Sequence, residues 1–422
     1  MDRLLGVARA IKKNHNAGTN RTRDNRISTG SIILDVALGG GLPVGRNVQF
    51  WGEKSGGKTT AALRAIATNQ NLCRRCLRQA KKIKAISPTK EELEQDENAR
   101  WHTTGKCDCY AKGLVKDIPA PPKNKGEKPK EYKERVLAWR ENLKKNSYEE
   151  FICSFVDPED AYDVGWATQL GVDDRRLFFV RPENGQEACD IVEFLIESGA
   201  VDLLVVDSLA HFTPREEITE GAEQWQQGLQ ARIVNKGIRA WVAMNAKNKN
   251  NKIYCTQIWT NQSRMKIGVM FGSPETKPAG KGQDFAIHSE VKFLASKVES
   301  VSEQYGAKSE QNVFPVKEIF HIKVPKNKTG STRGTEWFFE QTMRGTSDVP
   351  AGTLLEDDWI FKQAMKYLVT EHAKPPKGAD GKYEIGGKYY KTQVALKMAI
   401  TSDNEMAAVV RSAIIRELMS AR

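Results

Sequence analysis

One eight-residue run, GEKSGGKT from Gly52 to Thr59, restricts this chain more than any other feature. Its spacing is Gly-x4-Gly-Lys-Thr, with a strand-like stretch (Asn47 to Trp51) before it and a helix-like stretch (Thr59 to Gln70) after it. In that setting the backbone N–H groups of Gly52, Glu53, Lys54, Ser55, Gly56 and Gly57 wrap a polyphosphate. Lys58 then reaches the β- and γ-phosphates, Thr59 ligates magnesium, and Thr60 follows in the first helical turn. A loop of this kind demands a strand, a tight glycine turn and a helix, the repeating unit of a parallel α/β sheet.

The rest of the chain keeps that rhythm. Phe151 to Asp157 and Val201 to Asp207 (VDLLVVD) are apolar runs ending in Asp, Ala188 to Ser198 has helical periodicity, and Lys252 to Trp259 reads as a further strand. Parallel strands present carboxylates at their C-terminal ends, so Asp207 is the expected second magnesium ligand; the plainer alternative is an Asp that caps a turn. At 422 residues, 39% hydrophobic and 28% charged, the chain has the balance of a large globular core with additions. No apolar run is long enough to span a bilayer, and the N-terminal apolar stretch is too short for a signal peptide, so the cytoplasm is the expected location.

Leu72 to Ser147 breaks the α/β rhythm and reads as an insertion. It holds Cys73-x2-Cys76 and Cys107-x-Cys109, a Pro/Lys/Gly stretch (Ile118 to Lys130) and a charged helix (Pro129 to Lys145). Four thiolates suit tetrahedral zinc, with His102 a further donor; the alternative is four incidental cysteines. Cys153, Cys189 and Cys255 read as buried thiols in core elements. Of the net charge of +12, nine units lie between Cys73 and Lys145, where 20 Lys/Arg face 11 Asp/Glu. Such clustering implies either a polyanionic partner or a solvated lysine-rich surface. From Pro350 onward a helix (Asp358 to Glu371), a Gly-rich hairpin and further helical segments read as a small C-terminal domain.

NQSRMKIGVMFGSPET, Asn261 to Thr276, resembles the second DNA-binding loop of bacterial RecA recombinases. STGSIILDVALGGGLPVGR, FVDPEDAYD, SGAVDLLVVDSLAHFTP and KVPKNKTG resemble further segments of that family in the same order, covering most of Ile27 to Glu340 outside the insertion. The resemblance implies a RecA-like P-loop ATPase core with a mostly parallel sheet and a small C-terminal α/β domain, to which the cysteine spacing adds a zinc-binding insertion. The implied layout is an N-terminal polymerisation helix and linker (1–26), the core (27–349) containing the insertion (72–147), and the C-terminal domain (350–422).

Carried over by position, Glu159 resembles the glutamate that activates the attacking water, and Gln262 the sensor of the γ-phosphate. Asp163 and Trp166 fall where the family contacts adenine, and Lys326 and Lys328 resemble lysines that reach ATP on a neighbouring protomer. Arg264, Met265, Lys266, Ile267, Gly268, Met270 and Phe271 fall in the DNA loop, with Ile267 at the position that wedges between base triplets. A first DNA loop is expected near Glu220 to Gly228, and Arg232 and Arg239 match DNA-contacting arginines. The N-terminal stripe Leu4, Leu5, Val7, Ala8 and Ile11 resembles the helix that packs on a neighbouring core.

The implied function is ATP-dependent filament formation on single-stranded DNA, with homologous pairing and strand exchange into duplex DNA. The basic insertion is expected to contact DNA or a replication or recombination partner, or else only to brace the filament. The alternatives are a RecA-fold helicase or branch-migration motor, and a non-catalytic DNA-binding scaffold. Departures concentrate in the coupling residues: Lys54 replaces the family's usual Glu, Ala286 and Ile287 stand where a Lys–Phe pair is expected, and the stretch from Pro274 to Gly282 is longer.

Overall fold

The structure, a computed structural model, describes residues 25–89, 102–115, 120–124, 127–219, 228–250, 253–265, 275–280, 282–304, 311–328, 333–343, 345 and 349–420. The expected N-terminal helix lies outside them. The fold is α/β with a large, mostly parallel central sheet, and the chain divides into two compact units. One holds Ala65–Asp207 and His211–Gln257; the other holds 25–64, Ser208–Ala210 and 258–420.

In the second unit the phosphate-loop strand Asn47–Gly52 lies parallel to Ser289–Phe293, with Gly52 opposite Phe293. Ser289–Phe293 pairs antiparallel with the long strand Gln311–Asn327, which also pairs with Lys297–Gln304 and Glu336–Thr342. The parallel pair is apolar where it is deepest. Val48, Phe50, Val291 and Phe293 are fully buried, and the Phe50 and Phe293 ring centroids lie 5.4 Å apart.

The segment STGSIILDVA forms the helix Ile32–Ala37, capped by the Ser31 hydroxyl, which accepts the Leu34 N–H at 3.1 Å. Its other free N–H groups are met from far along the chain. The buried Glu356 carboxylate accepts from Ile32 N at 3.0 Å, from Ile33 N at 3.2 Å and from the Ser31 hydroxyl. Arg411 NH1 stands 3.6 Å from the same carboxylate. Three helices, Asp357–Tyr367, Gln393–Ser402 and Asn404–Ser420, and a small antiparallel sheet follow. The helix expected from Asp358 to Glu371 ends at Tyr367 instead. The N–H groups of Leu368 and Val369 both return to the Ala364 carbonyl, and Thr370–Glu371 pairs with Tyr383–Ile385.

Asp35 is buried beneath this cap and accepts from Ser28 Oγ at 2.6 Å, Thr29 N at 2.7 Å and Thr29 Oγ1 at 2.7 Å. Burial pushes its pKa up to about 6; the three hydrogen bonds oppose that shift and the nearby Glu356 charge adds to it. A carboxyl whose folded pKa lies above its unfolded value binds its proton more tightly when folded. Its contribution is therefore complete below about pH 4 and is lost as the pH rises through about 6. Asp35→Asn should flatten that window, removing about 3 kcal/mol of pH dependence in denaturant titrations at pH 4 and pH 7.

In the first unit, Leu203–Val206, Cys153–Val156 and Leu177–Val180 run parallel, with Cys153–Val156 in the middle. All residues of Leu203–Val206 are buried, as a strand covered on both faces requires. The helix Gly185–Ser198 packs on the 22-residue helix Leu229–Asn250, where the Trp241 indole N–H donates to the Cys189 carbonyl at 3.1 Å. The strand expected from Lys252 to Trp259 runs instead over Thr256–Gln262. The long helix reaches Asn250 and Ile253 N–H closes on the Asn248 carbonyl, so the chain needs the next residues to turn. Within the insertion the charged helix spans Pro129–Lys145, as expected, and Lys81–Ile86 pairs with His102–Lys106.

Candidate functional site

The phosphate loop is shaped by two glycines that no other residue can replace. Gly52 has φ +136, and a Cβ there would fall 1.8 Å from the Phe293 carbonyl oxygen. Gly57 has φ +90, and its Cβ would lie 2.2 Å from the Phe320 ring. Lys58 opens the helix Lys58–Asn69 and folds back over its own loop, its ammonium 3.4 Å from the Gly52 carbonyl and bonded also to that of Glu53. Glu53, Lys54 and Ser55 stand exposed, with Ser55 at φ 58. Thr59 and Thr60 occupy the first turn.

The strand Thr256–Gln262 brings Gln262 to this loop. Ser263 N–H donates to the Gly52 carbonyl at 2.9 Å, and the next residues, Arg264–Met265, pair with Glu275–Thr276. Ser263, the residue after Gln262, therefore links the first phosphate-loop glycine to the neck of the loop that resembles a DNA-binding element. Arg264 and Met265 are exposed; Lys266, Ile267, Gly268, Met270 and Phe271 lie outside the described residues, as does most of the expected first DNA loop.

A buried polar network braces the neck. Asn261 Nδ2 donates to Gln283 Oε1 at 2.9 Å, Gln49 Nε2 to the same oxygen at 2.6 Å, and Lys277 Nζ to Gln49 Oε1 at 2.9 Å. Lys277 also pairs with Glu290 and, at 2.6 Å, with Asp284, and its ammonium lies 5.1 Å from the Trp51 ring centroid. Lys326 donates to the Asp284 carbonyl and Lys328 to that of Phe285 at 3.2 Å. Burial lowers the pKa of Lys326, with the charge of Lys328 adding to the effect. Ile287 is buried, and the exposed aromatic of this segment is Phe285, at 83%. Sequence reasoning passed over Phe285 and the Lys277 network; the longer stretch after Pro274 was the signal for both.

In the first unit, Asp207 follows the strand Leu203–Val206 and is 2% exposed, its N–H bonded to the Val156 carbonyl at 3.0 Å. Glu159 stands on the turn after Cys153–Val156. Asp157 holds that turn by accepting from Ala161 N at 3.1 Å and Tyr162 N at 3.0 Å. Glu159 Oε2 lies 3.0 Å from His211 Nδ1, a partner that sequence reasoning missed although His211 stands only four residues past Asp207. Asp163 caps the helix Val164–Gln169 by accepting the Trp166 N–H at 2.6 Å, which fixes both adenine-site candidates on one turn. Arg232 and Arg239 are exposed on Leu229–Asn250, with exposed Lys236 between them at helical spacing, so the basic face is one residue wider than expected.

The hydroxyl of Thr59 in one unit and the carboxylate of Asp207 in the other are each hard oxygen donors, the kind of ligand that magnesium takes. The four cysteines of the insertion converge: the Sγ atoms of Cys73, Cys76, Cys107 and Cys109 lie within 4.8 Å of one another. Cys76 and Cys107 Sγ are 3.7 Å apart, close to the ~3.8 Å edge of a tetrahedron with zinc–sulfur bonds of about 2.3 Å and far from a disulfide. Backbone and hydroxyl groups of Ser147 contact Cys73 and Cys109, with Cys109 Sγ 3.0 Å from Ser147 Oγ. Burial pushes the Cys76 thiol up to about 11 and raises that of Cys107 as well. The donor set and spacing fit zinc.

The RecA N-terminal domain family model matches residues 9–81 and 140–333, and the interval it skips falls inside the insertion. The chain is 34% identical over 303 residues to Protein RecA of Bartonella bacilliformis, covering 72% of this chain and 61% of that protein. Over 329 residues it is 32% identical to Protein RecA of Agrobacterium fabrum, covering 78% and 65%. Over 260 residues it is 34% identical to Protein RecA of Acinetobacter baumannii, covering 61% and 51%. The chain thus spans less than two thirds of the length of the curated relatives it matches. With the phosphate loop, the Gln262 strand and these matches together, the chain belongs to the RecA family.

Proposed function

We propose that this chain is a DNA-dependent ATPase that assembles as a filament on single-stranded DNA and carries out homologous pairing and strand exchange. The observation that carries the reading is the hydrogen bond from Ser263 N–H to the Gly52 carbonyl. It ties the first turn of the nucleotide loop to the neck of the DNA loop, beside Gln262, so a change at the terminal phosphate has a short route, through one hydrogen bond, to the DNA-gripping residues.

In this reading the phosphate loop and Lys58 bind and orient the triphosphate, and Thr59 and Asp207 hold magnesium, which supplies charge neutralisation when bound. Glu159 takes the proton of the attacking water, with His211 fixing the carboxylate that does so. Asp163 and Trp166 hold the adenine. Lys326 and Lys328 reach the nucleotide of a second copy, and exposed Phe285 is the apolar group that seats on that copy. Arg264, Met265, Lys266, Ile267, Gly268, Met270 and Phe271, with Arg232 and Arg239, contact the strand without reading its sequence. The tetracysteine group holds one structural zinc.

ATP turnover measured with and without single-stranded DNA, together with electron microscopy of the protein on DNA with a non-hydrolysable ATP analogue, tests this. Stimulated turnover and regular filaments are expected. Turnover indifferent to DNA, with no joint molecules formed, would turn the reading into a scaffold; strand separation on a forked substrate would turn it into a motor. Phe285→Ala should abolish filaments while leaving a monomer that still binds nucleotide, as checked by sedimentation.

A further inference from the structure

The insertion carries a second cluster that the zinc group does not explain. A cleft of about 330 Å³ beside the cysteines is lined by Arg78, Lys81, Lys106, Lys112 and Lys145, with Asp108 as the carboxylate among them. Lys112 is held by Asp108 at 2.9 Å. Arg78, Lys81, Lys106 and Lys145 make no side-chain hydrogen bond or ion pair with any described residue. Lys81 and Lys106 are direct cross-strand partners, a placement in which like charges repel unless an anion lies between them. The helix dipole accounts for Lys145 alone, in the last turn of Pro129–Lys145.

Among the described lining residues, five cations against one carboxylate leave four positive charges in excess. With zinc bound, the tetrathiolate, of which Cys76 and Cys107 line this cleft, would carry two negative charges and would offset half of them. The remaining excess favours an anion in the cleft. Four of the five cations are lysines, point charges that neutralise a backbone without the forked geometry by which arginine selects carboxylates. Among the described lining residues Leu114 is the one large apolar side chain, so the cleft offers little to the side chains of a peptide.

We propose that this cleft binds the phosphodiester backbone of DNA, as a grip separate in sequence from the loop after Gln262. The inference rests on the reading of the chain as a DNA-binding protein. Anisotropy of a labelled oligothymidylate and of a labelled duplex, titrated with full-length protein across a range of salt, tests it. K81Q/K106Q/K145Q should bind more weakly, with the slope of log affinity against log salt shallower by about 2 on the single strand or about 3 on the duplex. K81R/K106R/K145R should restore the wild-type slope. The probe whose slope changes identifies the strand form, and a change on either supports the site.

Wild-type slopes on both probes in the glutamine variant would overturn it, as would loss of polyglutamate binding with DNA binding intact. Zinc content measured alongside shows whether the module has stayed folded; K145E, an exposed helix-end change, gives the same slope test if the triple variant has not. Wild-type protein that binds neither DNA probe would instead sink the functional reading itself.

Discussion

Glu159→Gln should reduce DNA-stimulated ATP hydrolysis by about 10²- to 10⁴-fold while leaving nucleotide affinity nearly unchanged. The amide keeps the volume of the carboxylate and can still meet His211 Nδ1, now 3.0 Å from Glu159 Oε2, so the turn built on Asp157 should persist. What disappears is the group that accepts a proton from water. The loss should fall on kcat, and the ATP-bound assembly on DNA should outlast that of the wild type because its nucleotide is not consumed. Single-turnover hydrolysis, paired with equilibrium binding of a non-hydrolysable analogue, separates the two effects. Turnover near the wild-type rate would remove Glu159 from this role. Turnover and affinity lost together would mean that Glu159 supports the fold of the turn instead.

The second large effect is expected at the cysteines. Structural zinc contributes about 10–16 kcal/mol to the folding of small modules, so Cys107→Ser or strong chelation should melt the insertion. The core has its own apolar interior, from Phe50 and Phe293 in one unit to Phe155 and Trp241 in the other, and should remain folded. Limited proteolysis is expected to cut within 72–147 only in the metal-free or variant protein, and elemental analysis should fall from one zinc per chain to none. Basal ATP hydrolysis should survive. A chelated protein that resists cleavage in the insertion, at unchanged melting temperature, would show that the cluster folds without metal.

Local sequence carried much of this structure where backbone geometry leaves one solution. Gly52 and Gly57 announce a loop because a side chain at either would collide with Phe293 or Phe320, and VDLLVVD announces a covered parallel strand. The Cys73, Cys76, Cys107 and Cys109 spacing likewise anticipated a convergent group, which the structure brings together. Element ends were harder. The strand at Thr256 starts late because the preceding helix overruns to Asn250, and the helix at Tyr367 stops early because Thr370 is taken by a hairpin. Both outcomes depend on partners distant in sequence. The same is true of His211 beside Glu159, of Gln283 beneath Asn261 and of Glu356 over Ile32. Each is a pairing across tens to hundreds of residues, which no periodicity encodes.

The reach of Glu356 bears on how this protein can be dissected. Shortening the chain at 349, to obtain a minimal ATPase, would strip the carboxylate from Ser31, Ile32 and Ile33 and uncover donors that have no water-exposed route in the intact molecule. Such a fragment would fail for want of a cap, and its inactivity would be misread as a requirement for the missing domain in turnover. A cut placed after Glu356 but before the helices would still forfeit Arg411, the carboxylate's cation.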